Sequence, residues 1–593
     1  MKRVVFLIVG ILLVLGLVLP GCGGGGGGGA YVPYKTLKTP GTLTIGVMGA
    51  MSFDQGEDAA IGAQVAANDI GTFSVGNQTL TVTINSYDTD EVLNPTGPTG
   101  GTAAALAVSQ CDFVVGGFRT EAVLVYRNTF MNANMTFFDC GAATTSLCQD
   151  VVTTYGHYKY FFRATPFNDD LIGVMQTKIF TEALATTAGT LAYYAAHNIS
   201  GFAGIYNASL PGGLGFIPKV AVIAEDAEWT RAGRNAAVAN LGAEGILVNP
   251  GSEPYLVSTT ATDAQMLSTL NAIHAADPLT NVLYTILSGP AGVSFRDEAP
   301  VVFPGALCVG TNVEAQAMQF GNQSTCNQML FTDGFAPGVS ITNMTAPFMN
   351  EFAAYVVAHG LTSTVSTVPL YTAGTYDAVK SLVDALHNEG YVDGSTVKYV
   401  PGDIVSWLES AVRTDGTSAL QIGDYPLWDG HTTGTYIPYI GATPQTNVPA
   451  LNSSQVLAIY PWLANAKFSN GTAVNNWTYN PNDWTMGPNP SHDLIFGTQW
   501  SVGIGSQWQW NGTAYQKVCV WPTTDLTSGT GLNPVTDIPT FEFVLPGLNA
   551  TTLYSLQQAG LWDQYGWYNY KYAGTGSLNL SNFVGLVIAN YPF

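Results

Sequence analysis

Short apolar strands alternate with amphipathic helices over residues 41–147, and this alternation constrains the fold more than any other feature of the 593-residue chain. Buried strands that alternate with helices form parallel sheets covered on both faces. The pattern predicts helix Glu57–Ile70 and strands at 42–49, 80–87, 113–116 and 135–138. Ligands bind such sheets in the crevice outside the carboxyl ends of the strands. We therefore expect three loops to line one crevice, namely 52–56, 117–121 and 141–146.

The same alternation resumes further along the chain, after a helix predicted at 171–185 and a Gly- and aromatic-rich insertion at 186–218. It predicts strands at 220–223, 246–249, 282–287 and 306–309. It also predicts helices at 231–241, 264–276, 346–359, 376–388 and 401–412. The chain is long enough for two or three domains. We expect an α/β protein with two such sheets.

The N-terminus has the pattern of an export signal. Lys2 and Arg3 precede an apolar run, and Leu19-Pro-Gly-Cys22 follows it. This order is typical of a secretory signal, and Leu-x-Gly-Cys is the lipobox in which Cys22 is lipidated. A plain signal peptide or an uncleaved anchor is the alternative. The glycine-rich residues 23–40 then predict a flexible tether.

Charge and composition limit the classes of function. The net charge of -22, with only 19 Lys and Arg residues, argues against a nucleic-acid partner, because such recognition needs a basic face. Beyond the signal, no apolar run approaches the length of a membrane span. Twelve Asn-x-Ser/Thr sequons fit an N-glycosylated extracytoplasmic protein, with a chain merely rich in Asn and Thr as the alternative.

Six cysteines remain after Cys22, and an even number in an exported chain suggests disulfides. The sequence leaves the connectivity open. Short loops favour Cys140 with Cys148 and Cys308 with Cys326, which leaves Cys111 with Cys519. No Cys-x-x-Cys or nearby His accompanies them, so we expect no metal and no cofactor.

Several segments carry a family resemblance. Thr44-Ile-Gly-Val-Met-Gly-Ala-Met-Ser52, Phe113-Val-Val-Gly-Gly117, Gly141-Ala-Ala-Thr-Thr145 and the run from Lys219 to Gly233 occur in the order found in one family. Together with helix 376–386, they resemble the leucine/isoleucine/valine-binding proteins, which are type I periplasmic binding proteins of ABC importers. The resemblance covers roughly residues 41–430. It implies a two-lobed fold with a hinge of three crossings.

The resemblance divides the chain as follows. The expected segments are a signal peptide with lipobox at 1–22, a tether at 23–40, lobe 1 at 41–165 and 336–425, lobe 2 at 166–335 and 430–523, and an aromatic-rich extension at 524–593. Lobe 2 includes a loop-rich insertion at about 430–495 and ends in a hairpin around Asn511-Gly512. The crossings fall near 161–170, 330–336 and 420–428. The extension is expected to pack on the core, with an aromatic docking surface as the alternative.

The resemblance also places ligand contacts. It puts the Thr120 hydroxyl, the Ala142 backbone and the Thr144 hydroxyl beside a ligand carboxylate and α-carbon, where neutral donors bind a carboxylate without burying an unpaired charge. Helix capping is the alternative for both threonines. Arg119 departs from the family pattern, and an inward guanidinium would favour an anionic ligand. Otherwise Arg119 pairs with Glu121 or Asp112 on the rim.

In the second lobe, Trp229 stands where the family has an aromatic residue that shields the ligand. The ammonium-binding acid of the family corresponds to Asn312 or, with a shifted alignment, to Glu314. Gln55 and Ser288 are further lining candidates. A Ca²⁺ site at Asp88, Asp90 and Glu91 is less expected than a solvated strand-end loop.

No catalytic motif accompanies these residues, so we expect a binding protein and no enzyme. The first hypothesis is a lipid-anchored receptor on the outer face of the cell membrane. It would bind an amino acid, amide or small carboxylate and deliver it to an ABC permease. The alternative is a ligand-sensing or structural surface glycoprotein with the same fold.

Overall fold

The computed structural model describes residues 34–164, 169, 172, 219–243, 247–249, 253–339, 345–410, 492, 504–511 and 513–521. The described residues from Lys35 onward belong to one compact unit. The signal, the tether up to residue 33, the helix at 171–185 apart from residue 172, the insertion at 186–218, the crossing at 420–428, the extension at 524–593 and, apart from residue 492, the insertion at 430–495 lie outside the described residues. The flexible tether is wrong for its last residues, because Lys35–Thr36 is a β-strand paired with Lys398 and Tyr399.

The strands form three sheets. In chain order they are β1 (Lys35–Thr36), β2 (Thr42–Gly49), β3 (Thr72–Val75), β4 (Gln78–Asp88), β5 (Phe113–Gly116), β6 (Phe137–Asp139), β7 (Phe161–Arg163), β8 (Val220–Glu225), β9 (Tyr255–Val257), β10 (Val282–Leu287), β11 (Leu307–Asn312), β12 (Leu330–Asp333), β13 (Tyr391–Asp393), β14 (Thr396–Tyr399), β15 (Ile504–Trp510) and β16 (Tyr515–Trp521).

The first sheet has the order β3-β4-β2-β5-β6-β7, and only β3 runs antiparallel to its neighbour. Its register aligns Gly116 with Asp139 and Asp139 with Arg163. The carboxyl ends of β5, β6 and β7 therefore lie side by side. The loops that follow β5 and β6 leave the sheet at the same edge.

The second sheet has the order β16-β15-β12-β11-β10-β8-β9. Strands β8 to β12 are parallel, and the hairpin β15–β16 adds to β12 in antiparallel pairing. The register aligns Leu287 with Asn312 and Ile286 with Ala224. The ends of β8, β10 and β11 thus also share one edge. A small third sheet has the order β1-β14-β13.

Helices connect the strands and cover the sheets. In chain order the described α-helices are α1 (Asp54–Ile70), α2 (Pro98–Gln110), α3 (Thr120–Asn132), α4 (Ser146–Thr153), α5 (Tyr155–Tyr158), α6 (Arg231–Ala243), α7 (Asp263–Ala276), α8 (Gly289–Val302), α9 (Thr345–Ala358), α10 (Thr375–Glu389) and α11 (Pro401–Ser410). Phe348, Val379 and Leu408 from the last three helices share one core with β2 and β5 of the first sheet. The chain therefore returns to the first sheet after building most of the second.

The fold class expected from the sequence is confirmed: the protein is α/β, with two mainly parallel sheets flanked by helices. Strands 42–49, 113–116 and 282–287 match their predicted bounds. Helix α1 begins at Asp54, three residues earlier than predicted. The carboxylates of Asp54 and Glu57 in its first turn favour an early start, because negative charge stabilises a helix N-terminus.

Two predicted strands need correction. The strand at 246–249 is wrong, since Leu247 forms only an isolated bridge with Val220 and the edge strand is Tyr255–Val257. The strand at 135–138 is displaced to Phe137–Asp139, because the Met135 amide donates to the Phe130 carbonyl and still closes the preceding helix. Apolar composition alone does not distinguish such a helix end from a strand.

The disulfide pairings are wrong. Cys111, Cys140, Cys148, Cys308, Cys326 and Cys519 are all buried, and none forms a disulfide with another described cysteine. Cys111 contacts the Tyr87 hydroxyl at 3.2 Å, on the first sheet, whereas Cys519 lies in β16 of the second. Cys140 donates to its neighbour Phe138, and Cys148 lies beside Arg163. Each thiol fills its own core position.

The hairpin expected around Asn511 is present, with Trp510 opposite Tyr515. The Asn511 side chain accepts hydrogen bonds from the amides of Thr513 and Ala514, so the connection spans more residues than a two-residue turn. Within the described residues, no helix combines the length and apolar character needed to cross a membrane.

Candidate functional site

The loop between β5 and α3 brings Arg119 and Thr120 to the edge of the first sheet. Gly116 and Gly117 both have positive φ, and a Cβ at Gly116 would lie 2.2 Å from the Met48 carbonyl oxygen. Only glycine fits this tight exit from the sheet. The amides of Phe118 and Arg119 then donate to the buried carboxylate of Glu91, each at 3.1 Å. Glu91 therefore fixes the start of α3.

The loop between β6 and α4 carries Ala142 and Thr144. The Ala142 amide donates to Asp139 at 3.0 Å, and burial raises the pKa of Asp139 to about 7. The Arg163 guanidinium donates to the carbonyls of Ala143 and Thr144, and the Thr145 amide donates to Asp169. Buried side chains from β6, β7 and residue 169 thus hold the loop in one shape.

Thr120 and Thr144 are brought together. The Thr144 amide donates to the Thr120 hydroxyl oxygen at 3.4 Å, and both side chains are almost fully buried. Helix α3 has no side-chain cap, so Thr120 does not cap it. The Thr144 hydroxyl contacts the Ser146 hydroxyl and accepts weakly from the Ser146 amide at the start of α4. The alternative role of Thr144, which is hydrogen bonding to the start of a helix, is therefore seen in part.

Glu225, at the end of β8, is the main acceptor on the edge of the second sheet. Its carboxylate accepts the amide and the hydroxyl of Ser288, each at 2.8 Å, and the Trp229 indole N–H at 3.3 Å. Burial raises its pKa, and Arg119 opposes that rise. Sequence reasoning missed Glu225. An acidic residue at the end of a buried apolar strand is itself a signal of a functional site, because acidic side chains are seldom buried.

Arg119 connects the two sheets. Its Nη1 lies 3.3 Å from Glu225 Oε2, and the two side chains are 2% and 0% exposed. The pairing of Arg119 with Glu121 or Asp112 on the rim is therefore wrong. Asp112 instead accepts the amides of Lys38 and Thr44, and Glu121 accepts the Glu228 amide from the second sheet at 2.6 Å.

Gln55 and Glu314 form a second contact between the sheets. Gln55 lies in the first turn of α1, and its Nε2 donates to Glu314 Oε1 at 2.6 Å. Burial raises the pKa of Glu314, and a hydrogen bond from the Gly289 amide opposes that rise. Burial, followed by the nearby charge of Glu314, raises the pKa of Asp54 to about 7. The Asp54 carboxyl of α1 thus lies close enough to Glu314, which follows β11, for their charges to interact.

Two expected ligand contacts are already used inside the protein. The Asn312 side chain is buried and donates to the Gly292 carbonyl of α8 at 3.0 Å, so it packs on that helix and Glu314 reaches the opposite sheet in its place. The Ala142 amide is bonded to Asp139, as described above. Gly292 permits this packing, because a Cβ there would lie 2.1 Å from Asn312 Oδ1.

Together, the carboxyl ends of both sheets form one polar region, which we call the crevice. The crevice residues are Gln55, Arg119, Thr120 and Thr144 on the first sheet and Glu225, Trp229, Ser288 and Glu314 on the second. Such a region can hold a small polar molecule through hydroxyl, guanidinium and carboxyl groups from two sides.

The acidic residues at the end of β4 and directly after it do not converge. Asp88 accepts the amides of Met51 and Asp90, whereas Glu91 turns inward to the amides of Phe118 and Arg119. Over the described ranges, no group of three or more His, Cys, Asp or Glu side chains is arranged to hold a metal ion.

The chain is similar to several solved solute-binding proteins. A leucine-binding protein from Thermotoga maritima is 17% identical, with 64% of this chain and 92% of that chain covered and a TM-score of 0.42. An ABC transporter solute-binding protein from Rhodopseudomonas palustris, in complex with p-hydroxybenzoic acid, is 15% identical, with 63% and 86% covered and a TM-score of 0.42.

An ABC transporter substrate-binding protein from Sphaerobacter thermophilus is 12% identical, with 81% of this chain and 97% of that chain covered and a TM-score of 0.45. No family model matches the sequence. No curated protein matches it either.

Proposed function

We propose that this chain is an extracytoplasmic solute-binding protein that delivers a small polar ligand to an ABC permease. The observation that carries the proposal is the contact between Arg119 and Glu225, which joins the strand ends of two separate sheets in a buried polar crevice. A ligand that touches both sides of such a crevice stabilises the closed form by its differential affinity for that form.

In this proposal the ligand is an amino acid, an amide or a small carboxylate. Thr120 and Thr144 lie beside each other, and their hydroxyls are suited to donate to a carboxylate or carbonyl oxygen. Glu314 and Gln55 supply acceptors from opposite sheets for an N–H group of the ligand. The Trp229 indole N–H donates to Glu225, and the indole ring would shield the ligand from water.

The domain assignment follows from the proposed hinge closure. Lobe 1 comprises 41–165 and 336–425, and lobe 2 comprises 166–335 and 430–523. The packing of α9, α10 and α11 on the first sheet and the pairing of β15 with β12 support this division. Lipidation of Cys22 and the tether would hold the two lobes at the outer face of the membrane.

Ligand screening of the purified chain tests the proposal. Amino acids, carboxamides, dicarboxylates and short peptides would each be added in a thermal-shift assay, and calorimetry would measure the affinity of any that raise Tm. A ligand that binds the folded chain but not the unfolded chain stabilises the fold and so raises Tm. At a ligand concentration of one hundred times Kd, the free energy of unfolding rises by about 2.7 kcal/mol. A screen in which no compound of these classes binds would contradict the proposal.

A further inference from the structure

One side of the Arg119 guanidinium has no hydrogen-bond acceptor within the part of the chain that the structure describes. The side chain is 2% exposed, and Nη1 pairs with Glu225. Among the described residues, Nε and Nη2 have no hydrogen-bond partner. Buried N–H groups are costly when unpaired, so an unpaired pair of donors in a crevice calls for an acceptor from outside the protein.

The surroundings of this side favour an oxygen atom. Gly289, the first residue of α8, lies so close that a Cβ on it would be 3.0 Å from Arg119 Nη2. The N-terminus of a helix carries partial positive charge. An oxygen that accepts from Nε and Nη2 would thus lie beside the positive end of α8 as well as on the guanidinium.

The net charge of the crevice argues against an anionic oxygen. Glu225 already neutralises Arg119, and Glu314 accepts the Gly289 amide at the start of the same helix. A ligand carboxylate would add a third negative charge beside these two acids, and repulsion between like charges disfavours such binding. An uncharged carbonyl oxygen would satisfy the Arg119 donors without that cost.

The part of the crevice formed by Gln55 and Glu314 needs hydrogen-bond donors from the ligand, whereas Arg119 needs an acceptor. Gln55 is 2% exposed and donates its Nε2 to Glu314, while its Oε1 has no partner among the described residues. Gln55 Oε1 and the Glu314 carboxylate are both acceptors, so the ligand must supply hydrogen-bond donors here. A primary carboxamide carries a carbonyl acceptor and two N–H donors on one planar group.

We propose that the crevice selects carboxamides, with the ligand carbonyl oxygen on Arg119 and its N–H groups on Gln55 and Glu314. This inference rests on the proposed function and narrows it to one ligand class. It also reverses the expectation that an inward Arg119 favours an anionic ligand, because the partner of Arg119 is already an acid.

Two matched ligand pairs test the inference at pH 7: propionamide with propionate, and L-glutamine with L-glutamate. Within each pair only the amide or acid group differs. We expect calorimetry on the full chain to show the amide binding at least about tenfold more tightly in one pair, and the acid binding more tightly in neither. Failure of both amides to bind, a preference for the amide of less than about tenfold in both pairs, or tighter binding of the acid in either pair overturns the inference.

A charge variant with a neighbouring control sharpens the test. Glu225→Gln should lower the ratio of amide to acid affinity by about tenfold or more, because Arg119 loses its counter-ion. Asp226→Asn removes the same charge from an adjacent side chain that is 69% exposed, and it should leave the ratio within about twofold. If Glu225→Gln and Asp226→Asn have the same ratio of amide to acid affinity, the inference is overturned. Circular dichroism checks the fold, and if Glu225→Gln does not fold, the wild-type ratios decide.

Failure of the inference differs from failure of the proposed function. If leucine or a dicarboxylate binds and neither amide does, the solute-binding proposal stands and the carboxamide assignment falls. If no compound in the wider screen binds, both fall.

Discussion

Two buried ion pairs in this protein differ in how completely they are bonded. Lys517 and Asp333 lie 2.8 Å apart within the second sheet, and their side chains are 0% and 1% exposed. Lys517 also donates to the Gln316 carbonyl, and Asp333 accepts the amides of Gly334 and Phe335. In the Arg119–Glu225 pair, by contrast, two guanidinium nitrogens have no described partner. A fully bonded pair stabilises a fold, whereas an incompletely bonded pair between two sheets remains available to a ligand.

The largest effect is expected from breaking the fully bonded pair. Lys517→Met leaves the Asp333 carboxylate buried without its counter-ion and should lower the free energy of unfolding by about 3 to 5 kcal/mol. Chemical denaturation would measure the change. Arg231→Met is the matched control, because the Arg231–Glu228 pair is exposed and is expected to contribute less than about 1 kcal/mol. Equal losses of stability in the two variants would show that the buried pair contributes no more to the fold than the exposed pair.

A smaller loss of stability is expected at the crevice pair. Arg119→Met removes the counter-ion of Glu225, but the carboxylate keeps its hydrogen bonds from Ser288 and Trp229. The free energy of unfolding should therefore fall by about 2 kcal/mol, less than for Lys517→Met. The same denaturation experiment measures it. A loss of unfolding free energy as large as that of Lys517→Met would show that the Arg119–Glu225 and Lys517–Asp333 pairs stabilise the fold equally.

The threonines test whether the crevice binds a ligand through hydroxyls. Thr120→Ala and Thr144→Ala should each weaken binding of whichever compound the screen identifies by about 1 to 2 kcal/mol, through loss of one hydrogen bond. Calorimetry measures the affinities. Thr153→Ala is the control, since its exposed hydroxyl donates only to the Gln149 and Asp150 carbonyls of its own helix. Unchanged affinity in both crevice variants would remove these residues from the site.

The smallest effect is a pH dependence that originates at Asp54. Burial raises its pKa to about 7, compared with about 3.9 in an unfolded chain. The neutral carboxyl therefore stabilises the fold fully below about pH 4, and this contribution is lost as the pH rises towards 7. Asp54→Asn keeps the group neutral and should be more stable than wild type by about 1 kcal/mol at pH 8, given solvent screening of a partly exposed group. The two proteins should converge at pH 4, and a constant difference would contradict the assignment.

The strands of the two sheets were largely predictable, because continuous apolar runs such as 113–116 and 282–287 can only be buried strands or helices, and their length favours strands. The edge strand Tyr255–Val257 was not predictable. It has three residues and is only partly buried, so its sequence carries little periodicity.

The crevice was predictable only where residues follow a strand end in a recognisable motif. Thr120 and Thr144 lie in loops whose position is fixed by the parallel register, and the structure places them side by side. Their roles as ligand contacts stay predictions. The partner of Arg119 was not predictable, because Glu225 lies 106 residues away and meets it only when the two sheets face each other. The burial of Asn312 against α8 depends equally on tertiary packing.

The late position of β15 and β16 in the chain has a consequence for biosynthesis. Residue 330 pairs with residue 507, so the ribosome must add more than 170 residues before the outer side of β12 is covered. Until then the nascent chain carries a β-edge with unpaired amides and carbonyls, which is prone to pair with other chains. A chaperone that shields this edge during synthesis would therefore raise the yield of native protein more than one that acts on the first sheet.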